Sequence, residues 1–123
     1  MAITEAFSGS ATISTTQYDL PSASTTVSAQ TADGIYQLFL DLSNLTATES
    51  YQLRIYEKVV ASGSPGSTQR VISDTTISGA QTAQPVYVTS ALLLLHGWKF
   101  TLTRLTTVGG ADRAISWSIR QVA

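Results

Sequence analysis

Apolar and polar residues alternate one by one along most of this chain, most clearly from Trp98 to Leu105. Trp98, Phe100, Leu102 and Arg104 fall on one parity; Lys99, Thr101, Thr103 and Leu105 fall on the other. A period of two is the mark of a strand with one buried face. The run Leu92 to Leu95 just before it is far shorter than the ~20 apolar residues that cross a bilayer, and His96 and Gly97 close it. It reads as a buried segment leading into the strand.

The same period recurs on both sides of this stretch. After the turn signal Asp33-Gly34, the segment Ile35 to Leu42 places Tyr36, Leu38, Leu40 and Leu42 on one face. Ile35 and Phe39 flank Gln37 on the other, which predicts a central strand with both faces partly covered. In the turn that follows, Asn44-Leu45 is apolar enough to plug the end of a core. From Ser50 to Val60, Tyr51, Leu53 and Ile55 oppose Gln52, Arg54 and Tyr56. Gly63, Pro65 and Gly66 in Ala61 to Thr68 cannot all join a regular ladder, so this stretch is a loop and its flanking strands a hairpin. Glu57, Lys58 and Arg70 then face each other as a solvated cross-strand charge set. Val71 to Ser78 is rich in β-formers, and a short strand over Gln84 to Thr89 opens with Pro85. Val108 to Asp112 turns into Arg113 to Val122, with Ile115, Trp117 and Ile119 inward and Ser116, Ser118 and Arg120 outward. A second hairpin follows, with the two tryptophan strands as neighbours.

The N-terminal stretch is less regular. Ile3, Glu5, Phe7, Ala11 and Ile13 share a parity, interrupted by Ser8, Gly9 and Ser10. Residues 1–16 are either one bent strand or an arm that pairs with a partner. Pro21 biases Leu20 away from helix, so Tyr18 to Pro21 is a short extended piece, and Ser22 to Ala32 is a loop or a weak edge strand. No window carries helical periodicity beyond the turn at Ser90 to Leu95. The expected fold is all-β: one antiparallel β-sandwich domain over 1–123, about eight strands, jelly-roll-like rather than immunoglobulin-like.

Composition narrows the function classes. With no cysteine, disulfides, thiol chemistry and cysteine metal sites are excluded. Charged residues make up 12% of the chain, while Ser and Thr exceed a quarter of it. Its surface is therefore wetted by hydroxyls rather than ions. The net charge is −1, and the seven Lys and Arg are spread from Arg54 to Arg120, which gives no footprint for nucleic acid. No basic amphipathic segment suggests a membrane surface. MAITEAFSG has neither the positive region nor the apolar run of a signal peptide, which predicts synthesis in a cytoplasm without general export.

Candidate chemistry is sparse. His96 is the only histidine, so a metal centre would need carboxylates for its other ligands; a hydrogen-bonded structural role is the simpler reading. The eight carboxylates are scattered, and Asp33 and Asp112 read as turn residues. A glycosidase-type pair is defined by distance in the fold, and no motif marks one here. G-x-S-x-G, P-loop and G-x-G-x-x-G motifs are absent, and Gly109-Gly110 reads as a turn. Among the aromatics, Tyr18, Tyr56 and Tyr87 are the ones whose parity or position leaves them open to stack on a sugar; the rest read as core. The chain is thus expected to be no enzyme, with no catalytic, cofactor-binding or metal-binding residue, and to act through its surface.

Five stretches, AITEAFSGSATISTTQYDL, DGIYQLFLDLSNL, YQLRIYEKV with TQRV after it, LLLLHGWKFTLTRL and RAISWSIRQVA, cover most of the chain. In these it resembles the small β-sandwich structural proteins of tailed bacteriophages encoded among the head genes. That resemblance implies a virion protein of the decoration or cement type, sitting on the outer capsid shell, often as a trimer, and bridging capsomers. Its partners would be the major capsid protein and other copies of itself, and the resemblance carries over no individual functional residues. Ala2 to Phe7 and Tyr18 to Leu20 hold apolar residues outside the regularly patterned strands. Ile3, Phe7, Tyr18 and Leu20 are therefore the expected contacts with the shell or with neighbouring copies, by strand addition. The alternative is a carbohydrate-binding or host-recognition module of a phage tail or fibre, which needs exposed aromatics on one face.

Overall fold

A computed structural model describes residues 2–106 and 109–122; Val108, in the second expected turn, lies outside them. Nine strands form: β1 (Ile3–Ile13), β2 (Tyr18–Asp19), β3 (Gly34–Asp41), β4 (Ser50–Glu57), β5 (Arg70–Ser78), β6 (Val86–Val88), β7 (Leu92–Leu94), β8 (Trp98–Arg104) and β9 (Arg113–Val122). They build two antiparallel sheets, one ordered β1-β9-β3-β6 with β7 also on β3, the other β2-β8-β4-β5. Partners run inward from the two ends of the chain: β1 with β9, β2 with β8, β3 with β6 and β7, β4 with β5. The chain is one long hairpin, folded at the loop 61–68 and rolled so that successive pairs fall alternately in the two sheets. This is the jelly-roll order.

β6 and β7 are two halves of one interrupted strand, since both pair with the same edge of β3. Thr89 fills the interruption. Its hydroxyl accepts the Leu38 N–H at 3.0 Å, its own N–H donates to the Leu38 carbonyl at 3.0 Å, and its carbonyl accepts from Gln37 Nε2 at 2.7 Å. The break therefore leaves no β3 group stranded, as the cost of unpaired buried amides requires.

The core lies between the sheets, as the alternation predicts. Leu38, Leu40, Ile115 and Ile119 come from one side and Leu53, Ile55, Phe100 and Leu102 from the other, all buried. Trp98 is completely enclosed; its ring centroid lies 4.5 Å from that of Tyr36 and 5.3 Å from that of Phe100. Its Nε1 donates to the Ala32 carbonyl at 2.9 Å, and the Tyr36 hydroxyl donates to the same oxygen at 3.0 Å. Tyr51 ties the sheets together: its hydroxyl donates to the Ile13 carbonyl at 2.9 Å and accepts the Arg113 N–H at 2.8 Å. Leu45 is buried at the end of the sandwich, where a plug was expected.

Four expectations change. The tryptophan strands are not a hairpin: β8 already has β2 on one edge and β4 on the other, so β9 crosses to the opposite sheet and lies between β1 and β3. Trp98 and Trp117 still share the core, from opposite walls. The Leu92 to Leu95 run is not uniformly buried either. As part of an edge strand it alternates, with Leu94 buried and Leu93 and Leu95 exposed. At the N-terminus a bulge between Glu5 and Phe7 flips the parity, so that Glu5 faces out while Phe7 packs against the core. The bent strand is thus the form adopted, paired along its length with β9. Finally, Glu57 stands opposite Arg70 in the ladder, but its carboxylate turns to the backbone N–H groups of Leu95 and His96, the latter at 3.0 Å.

A buried ion pair holds the crossing to β9. The carboxylate of Glu49, with none of its surface exposed, accepts from the Thr46 N–H at 3.0 Å, from the Thr46 and Thr48 hydroxyls and from Arg113 Nε. Gly110, at φ 105°, lies against it, where a Cβ would come within 2.8 Å of Glu49 Cγ. The Thr46 and Thr48 hydroxyls, with Arg113, hold the Glu49 carboxyl down at about 2, against 4.5 for an unperturbed glutamate. A depressed folded-state value gives stability that is full above pH ~4.5 and disappears as pH falls toward 2. Thermal unfolding followed by circular dichroism should therefore show a falling midpoint across that window. Glu49→Gln should lower the midpoint at neutral pH and flatten part of the acid slope; equal slopes in both proteins would refute the assignment.

Candidate interaction face

The two outer faces of the sandwich differ in kind. On the β2-β8-β4-β5 sheet, Gln52, Arg54, Tyr56 and Lys99 point outward beside Asp74 and Thr76. Arg54 Nε meets Asp74 Oδ2 at 3.2 Å, and Lys99 Nζ lies 5.3 Å from the centre of the Tyr56 ring. This is a solvated, ionic surface.

The outer face of the β1-β9-β3-β6 sheet is aliphatic and hydroxylic. Its register sets Ile3 opposite Val122, Val122 opposite Ile35 and Ile35 opposite Leu93, an apolar row across four strands. A later row runs Ser8, Ser118, Phe39, Val88, and the next Ser10, Ser116, Asp41, Val86. The aliphatic side chains follow the first row and the β6/β7 edge, and the serines occupy the β1 side. The β4–β5 end adds Val59, which with Leu93, Leu95, Lys58 and His96 borders an open groove of about 570 Å³. A second hollow of about 270 Å³ lies among Ile3, Ile35, Phe39, Arg120 and Val122.

Two of the charges on this face, Glu5 and Arg120, are linked through Ser118. Arg120 lies with its Cζ 3.7 Å from the centre of the Phe39 ring, and its Nε donates to Ser118 Oγ at 3.3 Å. Ser118 in turn donates to Glu5 at 2.6 Å. That hydroxyl first, and Ser8 second, lower the Glu5 carboxyl below the ordinary range. The guanidinium covers the one aromatic ring on the face. The face thus presents methyl groups and hydroxyls, the Glu5–Ser118–Arg120 cluster, and the exposed Asp41 carboxylate, whose Oδ1 accepts the Ser43 N–H at 3.0 Å.

The four residues expected to make contacts do not share one surface. Ile3 is 67% exposed at the end of the apolar row. Phe7 is half-buried, edge-on to Trp98 with centroids 6.0 Å apart, and Tyr18 is half-buried, edge-on to Trp117 at 5.5 Å. Leu20 is a correction: it has no exposed surface, because its N–H bonds to the Phe100 carbonyl and draws the side chain into the core. Ile35, Val86, Val88 and Leu93, which are exposed on this sheet, are not among the expected contacts, although Leu93 and Leu95 carry the period-two signal once the run is read as an edge strand.

Other candidates find structural places. His96 donates its backbone N–H to Glu57 and accepts the Lys58 N–H at 3.0 Å, which fixes the loop before β8. Among the described residues no three of His, Asp and Glu gather at metal-binding range. Asp19 is fully buried under the following loop, with Oδ2 accepting the Ser28 N–H at 2.8 Å. The Tyr56 hydroxyl accepts from Gln17 Nε2 at 3.1 Å beneath Lys99, and Tyr87 packs against the core. The ten exposed large hydrophobics among the described residues are all Ile, Leu or Val.

These features define a jelly-roll domain whose two outer faces differ, one of them carrying a row of exposed aliphatic side chains. No family model matches the chain, and no curated protein matches it in sequence, so neither comparison extends the resemblance to phage structural proteins.

Proposed function

We propose that this chain is a capsid decoration protein of a tailed phage, which binds the outer shell and stiffens it by bridging capsomers. The observation that carries this reading is the segregation of the exposed hydrophobics. Six of the ten, Ile3, Ile35, Val86, Val88, Leu93 and Leu95, lie on or beside the outer face of one sheet. The outer face of the other sheet carries Arg54, Asp74 and Lys99, with Val71 and Ile72 exposed on its β5 edge. Lysine is depleted at protein interfaces, and a hydroxyl costs far less to desolvate than an ion; Lys99 points outward on the other sheet, and Lys58 stands only at the rim of the groove beside Leu93. The virion surface is the location that goes with this role, and the major capsid protein is the partner.

The mechanism is additive. Each copy contributes a modest contact across a joint between capsomers, and a shell bearing many copies sums those contacts against internal pressure. The test is direct: purified protein added to capsids stripped of it should rebind and raise the temperature at which they rupture. Absence of binding to capsids, with retention on a glycan array instead, would move the assignment to a host-recognition module. The enclosure of the tryptophans and the aliphatic character of the exposed patch argue against that module, because sugar stacking needs an open aromatic ring.

A further inference from the structure

The two sheets present four lateral edges among the described residues, and three of them are guarded. β2 is two residues long and its Asp19 exchanges backbone hydrogen bonds with Ser24 in the loop that follows. β5 carries Arg70 and Asp74 and is bulged against β4. The β6/β7 edge is split into two pieces of three residues and preceded by Pro85. Short strands, charges, bulges and prolines are the devices that stop a sheet edge from recruiting another strand. β1 lacks most of them. It is eleven residues long, has Glu5 as its one charge and no Lys or Pro, and beyond its bulge runs in unbroken register from Phe7 to Ile13.

The inner flank of this edge is also incompletely covered. Phe7, Gly9 and Ala11 point toward the core but remain half-buried, because no strand lies beyond β1. Gly9 has no room of its own for a side chain, since a Cβ there would stand 2.6 Å from Trp117. An added strand with small or apolar residues facing in and hydroxyls facing out would finish both sides.

The geometry points to a second copy of this chain as that strand, joined β1 to β1 antiparallel about a two-fold axis at Gly9. In that register Phe7 lies beside Ala11 of the second copy, a large residue against a small one on the inner side. Ser8 lies beside Ser10 of the second copy on the outer side, a favourable hydroxyl pair. The axis keeps the two adhesive faces coplanar. Glu5, the one charge on β1, sits toward one end, so no like charges meet across the axis. The interface is isologous and closes at two copies, so the expected assembly is a dimer in place of the trimer suggested by resemblance.

This proposal needs no capsid and is tested in solution, so its failure is distinct from failure of the decoration reading. Light scattering on the purified chain should give twice its 13.1 kDa mass. Because the chain has no cysteine, Ser8→Cys/Ser10→Cys should form a covalent dimer under mild oxidation, and Thr76→Cys on the β5 edge should not. Ser10→Lys, at an exposed position, should give a monomer with an unchanged circular dichroism spectrum, whose unfolding temperature no longer rises with protein concentration. A wild-type monomer without cross-linking overturns the inference, as does a dimer that survives Ser10→Lys. Protection of β1 amides from hydrogen exchange only when the protein is on capsids also overturns it, and assigns the edge to an arm of the shell protein.

Discussion

Trp98→Ala should lower the unfolding temperature by roughly 10–20 °C, the largest single-residue effect expected in this chain. The indole is fully enclosed and touches aromatic rings from both sheets: Phe7 on β1, Tyr36 on β3 and Phe100 on β8. Replacing a buried tryptophan by alanine costs about 3–5 kcal/mol, the lost transfer energy plus the cavity left behind. A domain of this size holds only about 5–15 kcal/mol in total, so the change removes a large share of it. The hydrogen bond lost with the indole adds little, since the Ala32 carbonyl keeps the Tyr36 hydroxyl. Calorimetry on the variant, with Val59→Ala as an exposed control, measures the difference. A shift of the same size in both proteins would show that the core is not centred on Trp98.

The alternation that identified Trp98, Phe100 and Leu102 as inward also identified Tyr51, Leu53, Ile55, Ile115, Trp117 and Ile119, all of them buried. A two-residue period depends only on which face of a strand meets the core, and that is local information. Sheet membership is not local. The segment between Arg104 and Arg113 looks like a hairpin turn because its residues turn well, and only the occupation of both β8 edges by β2 and β4 sends β9 to the other sheet. The crossing leaves a trace in Arg104 and Asp112, which meet at 2.7 Å across its ends.

Legibility of the face was limited for the same reason. Each of Ile3, Val122, Ile35 and Leu93 is unremarkable in its own segment, and the row exists only in the register that aligns four strands. The apolar run Leu92 to Leu95 suggested burial through its composition, whereas its place on the β3 edge exposes every second residue. Leu20 failed in the opposite sense. An apolar residue beside a proline in an irregular stretch resembles a surface contact, yet the pairing of β2 with β8 turns it inward. What the sequence carried plainly was the chemical character of the exterior, with few ions, many hydroxyls and no cysteine.

If the aliphatic row is the surface that meets the shell, Leu93→Glu should abolish decoration without disturbing the fold. Leu93 is 78% exposed, so the free protein gains nothing from its side chain, and the unfolding midpoint should move by no more than about 0.5 kcal/mol in stability. In the complex the carboxylate would be pressed against the aliphatic row, with Ile35 as its cross-strand neighbour and Lys58 across the groove as the nearest candidate cation, so that Leu93→Glu is best made together with Lys58→Ala. An unpaired charge in such a place costs several kcal/mol. A loss of only 1.4 kcal/mol per contact already weakens binding tenfold, and where two contacts act together the losses multiply. Occupancy on stripped capsids should therefore fall more than tenfold, and the rupture temperature should return to that of undecorated shells. Thr76→Glu, at an exposed position on the ionic face, is the matched control and should bind normally. The reverse pattern, binding lost with Thr76→Glu and kept with Leu93→Glu, would transfer the adhesive role to the other sheet and leave the aliphatic row unexplained.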